Sequence, residues 1–238
     1  MKRNNFLYGF IGTNRTGKSS IAKQLAISWK NSNPNGIVIS HDPQDNFTDI
    51  TDIFIEPEDN DWAIKCCEYR NCLIILDDFR LINESARPVK GLSKLLYYRA
   101  KWNIDIITVF HNPSLVINSL AHFISHYFIF MTNAQEGSFK NKIPNYSLCV
   151  AASEEVNKYV SVNGRGKYPI FPFVIVDCEK QKLMAINLEK NPTNSKVYTD
   201  AVKQETNLVE EKNKNNSFKP LNQLPKKTGI GFSINKNK

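Results

Sequence analysis

The segment FIGTNRTGKSSIAKQL, from Phe10 to Leu25, constrains the fold of this chain more than any other. Gly12, Gly17, Lys18 and Ser19 match the pattern G-x-x-x-x-G-K-[ST]. The pattern follows a short apolar stretch typical of a buried strand and precedes apolar residues at four-residue spacing, which indicate a helix. In that context the glycines let the backbone wrap around phosphate oxygens with its amides pointing inward. The segment therefore predicts a phosphate-binding loop.

The positive end of the following helix favours the same anion. Lys18 is expected to reach the β and γ phosphates of a nucleoside triphosphate, and Ser19 to supply its hydroxyl to Mg²⁺. ATP and Mg²⁺ are thus the predicted ligands. The predicted nucleotide-binding residues are Gly12, Thr13, Asn14, Arg15, Thr16, Gly17, Lys18, Ser19 and Ser20.

An acidic pair follows a second apolar stretch, in CLIILDD. Asp77 and Asp78 come where a parallel strand would reach its carboxyl end, and ligands bind at that edge of open α/β sheets. We expect Asp77 to hold Mg²⁺ through water, and Asp78 to orient an attacking water or accept its proton. Taken alone, such a pair is usually a solvated turn. The neighbouring phosphate loop favours the functional interpretation.

A third polar strand end occurs in IITVFHNP, where His111 and Asn112 follow an apolar run. A polar side chain there can sense the γ-phosphate or the attacking water. An isolated histidine at such a position is more often structural, so both interpretations of His111 stay open.

Short buried strands that alternate with helices predict an α/β fold with a mostly parallel central sheet covered on both faces. Later in the chain, FPFVIVD and KLMAINL predict a β-hairpin, or an edge strand of the main sheet. We expect one domain over residues 1–200. No apolar run approaches the roughly 20 residues that span a bilayer, and the five cysteines show no paired spacing, which favours reduced thiols in a cytosol.

The charge is concentrated at the C-terminal end. The net charge is +8, and residues 201–238 contain eight lysines and three glutamates, a balance of +5. This segment is rich in polar residues and has little hydrophobic periodicity, so it predicts a basic, flexible tail. Contact with nucleic acid and simple solubilisation are both consistent with its composition.

The three motifs in this order resemble the FtsK/HerA-like branch of the additional-strand P-loop ATPases, which includes viral genome-packaging ATPases and Zot-like phage proteins. The resemblance covers about residues 6–132 and depends on LIILDDFRLINESARP and LLYYRAKWNIDIITVFHNPSLV. It implies a three-layer RecA/ASCE-like fold whose sensor strand lies between the phosphate-loop and acidic strands. The chain departs from the family where Asp78 replaces the usual glutamate and His111 the usual glutamine or asparagine. Zot-like proteins carry a membrane span, and none is predicted in this sequence.

The resemblance implies ATP hydrolysis coupled to DNA translocation in a ring, in most cases a hexamer, with ATP at subunit boundaries. An arginine from the neighbouring subunit would stabilise the γ-phosphate charge. Arg99 is the first candidate, before Arg87 and Arg80, although a surface arginine with a packed stem is an equal alternative for Arg99. The candidate DNA contacts are Lys140, Lys142, Arg165 and Lys167.

The function expected from this resemblance is the packaging of a viral genome into a preformed capsid, with a capsid vertex protein as a partner. The expected location is the host cytoplasm or the virion. Two other classes share the phosphate loop. A small-molecule kinase usually carries an arginine-rich lid, which is not evident here, and a helicase-loader-like adaptor would bind nucleotide with weak turnover.

Overall fold

The computed structural model describes residues 5–56, 59, 61–78, 89–140, 142–166 and 171–186. Eight strands form one sheet. They are β1 (Leu7–Ile11), β2 (Ile37–His41), β3 (Ile53–Phe54), β4 (Cys72–Leu76), β5 (Ile104–Phe110), β6 (His126–Ile129), β7 (Phe173–Asp177) and β8 (Lys182–Ile186). Their order across the sheet is β3-β2-β4-β5-β1-β6-β7-β8.

The strands from β3 to β6 in this order are parallel, and β7 and β8 add to the sheet antiparallel. Strand β5 lies between β4 and β1, which confirms the position implied for the sensor strand. Because β1, β4 and β5 are parallel neighbours, the phosphate loop, the acidic pair and His111 all follow their carboxyl ends. The topology thus brings the three sequence motifs to one edge of the sheet.

The helices are α1 (Lys18–Ser32), α2 (Trp62–Cys66), α3 (Leu92–Trp102), α4 (Asn118–Ala121), α5 (Glu136–Lys140) and α6 (Tyr146–Asn163). Short 3₁₀ turns occupy Thr48–Ile50 and Pro113–Leu115. The apolar face of α1 packs on one face of the sheet, and α2, α3 and α6 contribute to the hydrophobic cluster on the other face. Strand β4 alternates between the clusters, since Leu73 and Ile75 belong to the first and Ile74 and Leu76 to the second. This three-layer α/β arrangement confirms the predicted fold class.

The late hairpin is confirmed and is also part of the main sheet. Strands β7 and β8 pair antiparallel, and β7 pairs antiparallel with β6. Both interpretations of this segment from sequence were therefore right in part. The sequence did not predict the 18-residue helix α6, whose buried side includes the polar residues Ser153 and Glu155 beside Leu148 and Val156.

All five cysteines are free thiols. In the described part of the chain, no helix has the length and apolar character needed to cross a membrane. The predicted domain boundary at residue 200 and the tail at 201–238 lie outside the described residues and stay predictions.

Candidate nucleotide-binding site

The phosphate loop joins β1 to α1, and its two glycines occupy positions where a side chain would not fit. A Cβ atom on Gly12 would lie 2.6 Å from the Cβ of Phe130, which is far inside van der Waals contact. A Cβ atom on Gly17 would overlap the ring of Phe171, and Gly17 has a φ of 89°. Because positive φ is strained for residues with a Cβ, both glycines of the motif are required by the backbone geometry.

Backbone hydrogen bonds hold the first residues of the loop, and the amides in its middle are available to a ligand. The amide of Gly12 donates to the carbonyl of Phe110 (3.2 Å), and that of Thr13 to the carbonyl of Met131 (2.9 Å). Within the described part of the chain, the amides of residues 14–20 have no backbone acceptor. A run of unsatisfied amides at the start of a helix is an anion-binding arrangement.

The side chain of Lys18 lies under this loop and is only 4% exposed. Its Nζ donates to the carbonyl of Thr13 at 2.8 Å. Burial lowers the pKa of Lys18 to about 8, against the opposite effect of the carboxylates of Asp77 and Asp78. An ammonium with so little solvent around it gains strongly from a nearby anion.

Asp77 is buried directly across from the loop. Its Oδ2 accepts hydrogen bonds from Ser19 Oγ (3.1 Å) and Asn46 Nδ2 (3.0 Å), and its Oδ1 accepts one from the amide of Asp78 (3.0 Å). Burial raises the pKa of Asp77 and the charge of Asp42 raises it further, while these three hydrogen bonds lower it. The carboxylate is therefore held in one orientation by donors on three sides.

Asp78 and His111 lie side by side, although they follow different strands. The distance from His111 Nε2 to Asp78 Oδ2 is 3.4 Å. Asp78 has a positive φ of 45°, in the left-handed region. His111 Nδ1 is buried and has no hydrogen-bond partner among the described residues. The pair provides an acceptor and an imidazole at the open side of the site.

The middle of the phosphate loop, Asp78 and His111 line one pocket of about 610 Å³, and Asp77 is linked to it through its hydrogen bond with Ser19. Its size is within the range of small-molecule sites. The lining includes seven of the nine predicted loop residues, both groups of the Asp78–His111 pair and one residue that the sequence did not point to. The lining residues are Asn14, Arg15, Thr16, Gly17, Lys18, Ser19, Ser20, Gln44, Asp78 and His111.

The oxygen atoms of Ser19 and Asp77 suit the predicted Mg²⁺. Ser19 Oγ donates to Asp77 Oδ2 at 3.1 Å, so a hydroxyl and a carboxylate oxygen, both of the kind that Mg²⁺ prefers, lie beside each other at the phosphate loop. Mg²⁺ is usually bound by one or two protein oxygens together with phosphates and water. In the described residues, no group of three or more histidines, cysteines or carboxylates converges on a possible metal position.

The sequence missed the contribution of the loop after β2. Asn46 binds Asp77, Asp42 acts on its pKa, and Gln44 lines the pocket. The run His41-Asp42-Pro43 at the end of a predicted strand was visible in the sequence. Strand β2 pairs in parallel with β4, so the polar residues that follow the two strands meet at the same edge of the sheet. Knowledge of this pairing would have identified the loop after β2 as part of the site.

Arg99 lies away from this pocket. Its half-buried guanidinium donates from Nη1 to the carbonyl of Leu96 (2.8 Å) and lies 5.4 Å from the ring centroid of Phe123. Burial lowers the pKa of Arg99, and Asp105 opposes the shift. The residue lines a separate cavity of about 340 Å³ with the 121–125 segment. A role of Arg99 across a subunit boundary stays a prediction.

The remaining candidate residues are dispersed. Lys140 and Arg165 are exposed and Lys142 is half-buried. Three candidates lie outside the described residues: Arg80, Arg87 and Lys167.

Comparison with known proteins supports the fold. No protein-family model matches the sequence, and no curated protein matches it. Among solved structures, the genome-packaging NTPase B204 of Sulfolobus turreted icosahedral virus 2, in complex with AMP, aligns with a TM-score of 0.57 at 14% identity, over 77% of this chain and 98% of B204. Its complex with ATPγS aligns at 0.55 and 14% identity, over 76% and 97%. The DNA-packaging ATPase B204 of Sulfolobus turreted icosahedral virus aligns at 0.57 and 14% identity, over 77% and 97%.

The chain has the fold of a viral genome-packaging NTPase. The resemblance to packaging ATPases that the sequence motifs indicated is therefore confirmed for the fold, which is a P-loop NTPase fold.

Proposed function

We propose that this protein hydrolyses ATP to move DNA, and that it packages a viral genome into a preformed capsid. The observation that carries the proposal is the convergence of three sequence motifs on one pocket within the fold of a packaging NTPase. B204, which shares this fold, has been solved with AMP and with an ATP analogue. ATP with Mg²⁺ is accordingly the proposed substrate.

In the proposed reaction, the amides of residues 14–20 and the ammonium of Lys18 hold the phosphates. Ser19 and Asp77 would hold Mg²⁺, which neutralises charge on the β and γ phosphates when it is bound. Asp78 orients the attacking water and accepts its proton, and His111 holds the Asp78 carboxylate through the 3.4 Å contact. Attack in line with the bond to the β-phosphate then releases ADP and phosphate.

The proposed assembly is a ring of identical subunits, most simply a hexamer, in which a neighbour's arginine completes the site. Arg99 is the proposed arginine because its guanidinium is half-buried in a single subunit and lies outside that subunit's own pocket. In the ring, the Arg99 guanidinium would leave the ring of Phe123 and contact the γ-phosphate of ATP bound to the neighbouring subunit. DNA would pass through the ring, a capsid vertex protein would anchor it, and the protein would act in the host cytoplasm or on the virion.

The test is steady-state ATP hydrolysis by the full chain, with and without DNA, beside Lys18→Ala and Asp78→Asn. We expect turnover that rises with DNA and is lost in both variants. Asp78→Asn should still bind ATPγS, because Asp78 acts on water, whereas Lys18→Ala should bind it weakly. Mixing the two inactive variants Arg99→Ala and Asp78→Asn tests the role of Arg99. In a mixed ring, an Arg99→Ala subunit keeps its own Asp78 and can receive Arg99 from an Asp78→Asn neighbour, so ATP hydrolysis should be partly restored.

Other outcomes favour the two alternative classes. Turnover that ignores DNA and depends on a nucleoside or another acceptor would indicate a kinase. Nucleotide binding with little turnover under all conditions, combined with dependence on a protein partner, would indicate a helicase-loader-like adaptor. Either result contradicts the translocase.

A further inference from the structure

Helix α3 exposes a group of aromatic and basic side chains that the nucleotide site does not use. The rings of Tyr98 and Trp102 are stacked, with centroids 5.1 Å apart and an interplanar angle of 23°. The guanidinium of Arg70 lies 4.5 Å from the centroid of Trp102, and Nζ of Lys94 lies 6.0 Å from it. Tyr98 remains 47% exposed. We call Arg70, Lys94, Tyr98 and Trp102 the aromatic–cationic surface.

Arg70 is held in place by its own backbone surroundings. Its Nη1 donates to the carbonyls of Cys67 (2.8 Å) and Tyr69 (2.6 Å), while its Nε and Nη2 have no protein acceptor in the described part of the chain. The guanidinium is thus fixed over Trp102 with one edge available. That edge of a guanidinium binds phosphate oxygens with two parallel hydrogen bonds.

The charge of this surface is mainly positive. Helix α3 contains Lys94, Arg99 and Lys101 and no acidic residue. Lys94 and Lys101 are exposed, and neither forms an ion pair within the described residues. The nearest acidic residue in sequence is Glu68, which is also exposed. A partner for this surface is therefore an anion.

The aromatic–cationic surface lies at the edge of the sheet opposite the nucleotide site. Arg70 and Trp102 each lie two positions before the first residue of β4 and β5, and the amide of Asn71 donates to the carbonyl of Trp102 at 3.0 Å. The phosphate loop instead follows the carboxyl end of β1. At about 3.3 Å per residue, strands of this length separate the two edges by about 15 Å. Occupation of one site does not sterically affect the other.

We propose that the aromatic–cationic surface binds single-stranded nucleic acid, with a base stacked on Tyr98 and the adjoining phosphate held by Arg70 and Lys94. An exposed ring beside fixed cations is the arrangement by which proteins bind single strands without reading their sequence. Duplex DNA offers phosphates but keeps its base faces stacked internally, so it can use only the cations. This proposal extends the DNA partner named above and predicts a preference for single strands at this surface.

The test measures binding of a short fluorescein-labelled oligothymidine strand, and of a duplex of equal length, by fluorescence anisotropy with the full-length protein. Tyr98→Ala should raise the Kd for the single strand about fivefold or more. Arg70→Gln should weaken single strand and duplex alike and lower the salt dependence of binding. Intrinsic tryptophan fluorescence should fall when the strand binds, and this change should be lost in Trp102→Phe.

Tyr97→Ala is the matched control, because Tyr97 is 73% exposed on the same helix but contacts Phe123 instead of Trp102. It should bind the single strand as the parent does. Lys18→Ala should also bind it normally, whether or not DNA stimulates ATP hydrolysis, so the proposed surface and the proposed motor can fail independently.

Three results would overturn the proposal. One is unchanged single-strand affinity in Tyr98→Ala and Arg70→Gln. Another is equal loss in Tyr98→Ala and Tyr97→Ala, which would indicate a general effect on the helix. The last is a changed oligomeric state in Tyr98→Ala by sedimentation with unchanged nucleic-acid binding, which would assign the surface to contacts between copies of the chain.

Discussion

Lys18 is held charged in a place that water barely reaches. In the absence of nucleotide, the compensation for its lost hydration comes from the Thr13 carbonyl and from the carboxylates of Asp77 and Asp78. The lowered pKa, about 8, shows that this compensation is incomplete. The buried ammonium therefore lowers the free energy of unfolding. A bound phosphate would compensate its charge and restore that free energy.

Replacing Lys18 with methionine should therefore stabilise the nucleotide-free protein at pH 7. The cost of the buried ammonium is fully present below pH 8 and is relieved as the pH rises from about 8 to the ordinary lysine value near 10.5. We expect a gain on the order of 1 kcal/mol, or about 2–4 °C in Tm for a domain of this size. Thermal unfolding at pH 7 and pH 10 measures it.

The exposed Lys101→Met is the control for the lysine exchange and should leave Tm nearly unchanged at both pH values. ATPγS with Mg²⁺ should raise the Tm of the parent and not that of Lys18→Met. A lower Tm in Lys18→Met at pH 7 would show that the Thr13 hydrogen bond outweighs the burial of charge.

Glu155 is a second buried ionisable residue, and the charge that its burial desolvates is negative. It is 3% exposed within α6, its Oε2 has no hydrogen-bond partner among the described residues, and burial raises its pKa, with a smaller opposing effect of Lys158. A raised pKa in the folded state means that stability falls as the pH rises above the ordinary glutamate value of about 4.3.

Glu155→Gln should therefore raise the free energy of unfolding at pH 7.5 by about 1 kcal/mol, because the amide has no charge to desolvate. The gain should shrink as the pH approaches the ordinary value. Urea unfolding at several pH values measures it, and Glu136→Gln, at an exposed position on α5, is the control. A gain that does not depend on pH would exclude the charge of Glu155 as its cause.

The loop between β2 and β3 helps to fix the orientation of the Asp77 carboxylate. Asp42 accepts from the amide of Phe47 at 2.7 Å, and the Phe47 side chain is fully buried. Asp49 pairs with Lys23 of α1 at 2.6 Å. The loop is thus attached at both flanks of Asn46, which leaves the amide of that residue in a fixed position against Asp77.

Asn46→Ala should loosen Asp77 and weaken Mg²⁺ use without unfolding the protein. Loss of a residue that orients a metal ligand typically costs 10–100-fold in metal affinity or activity. We expect the Mg²⁺ concentration for half-maximal ATP hydrolysis to rise about tenfold, with partial recovery at saturating Mg²⁺. The exposed Thr48→Ala, in the same loop, is the control. If kcat falls with unchanged Mg²⁺ dependence, Asn46 acts on the reacting groups and not on the metal.

The elements that form the site could be predicted because their signals are local. The G-x-x-x-x-G-K-[ST] pattern is specific for one backbone conformation. The strands that end at the acidic pair and at His111 are short apolar runs followed by polar residues. Asp77, Asp78 and His111 were found in this way. In the structure Asp77 is hydrogen-bonded to Ser19 of the phosphate loop, and Asp78 lies beside His111. The resemblance supplied the strand order, which apolar runs alone cannot provide.

What the sequence did not reveal depends on pairing between distant segments. Asn46 becomes informative only once β2 is known to lie beside β4. Helix α6 was missed because Ser153 and Glu155 interrupt its apolar face, although Leu148, Ala152 and Val156 recur at four-residue spacing. The aromatic–cationic surface likewise requires the approach of Arg70 to Trp102, which are far apart in sequence.

At the scale of the whole molecule, the sheet divides the core of the described residues into two clusters. The buried members of both clusters lie between Leu7 and Val176. Residues 201–238 are rich in polar residues and have little hydrophobic periodicity, so we expect the free energy of folding to come from the first 200 residues. The tail contributes eight of the 31 basic side chains. Phosphate binding by such charges is strongly salt-dependent.

A chain that ends at residue 200 should keep the fold and lose part of its affinity for DNA. We expect its Tm to match that of the full chain within about 2 °C and its response to ATPγS to be unchanged. Its affinity for duplex DNA should fall at low salt and converge with that of the full chain at high salt. A full-length variant with the eight tail lysines replaced by glutamine separates charge from length and should behave like the shortened chain. A Tm lower by more than about 4 °C, equivalent to about 1 kcal/mol or more, would place part of residues 201–238 within the folded domain.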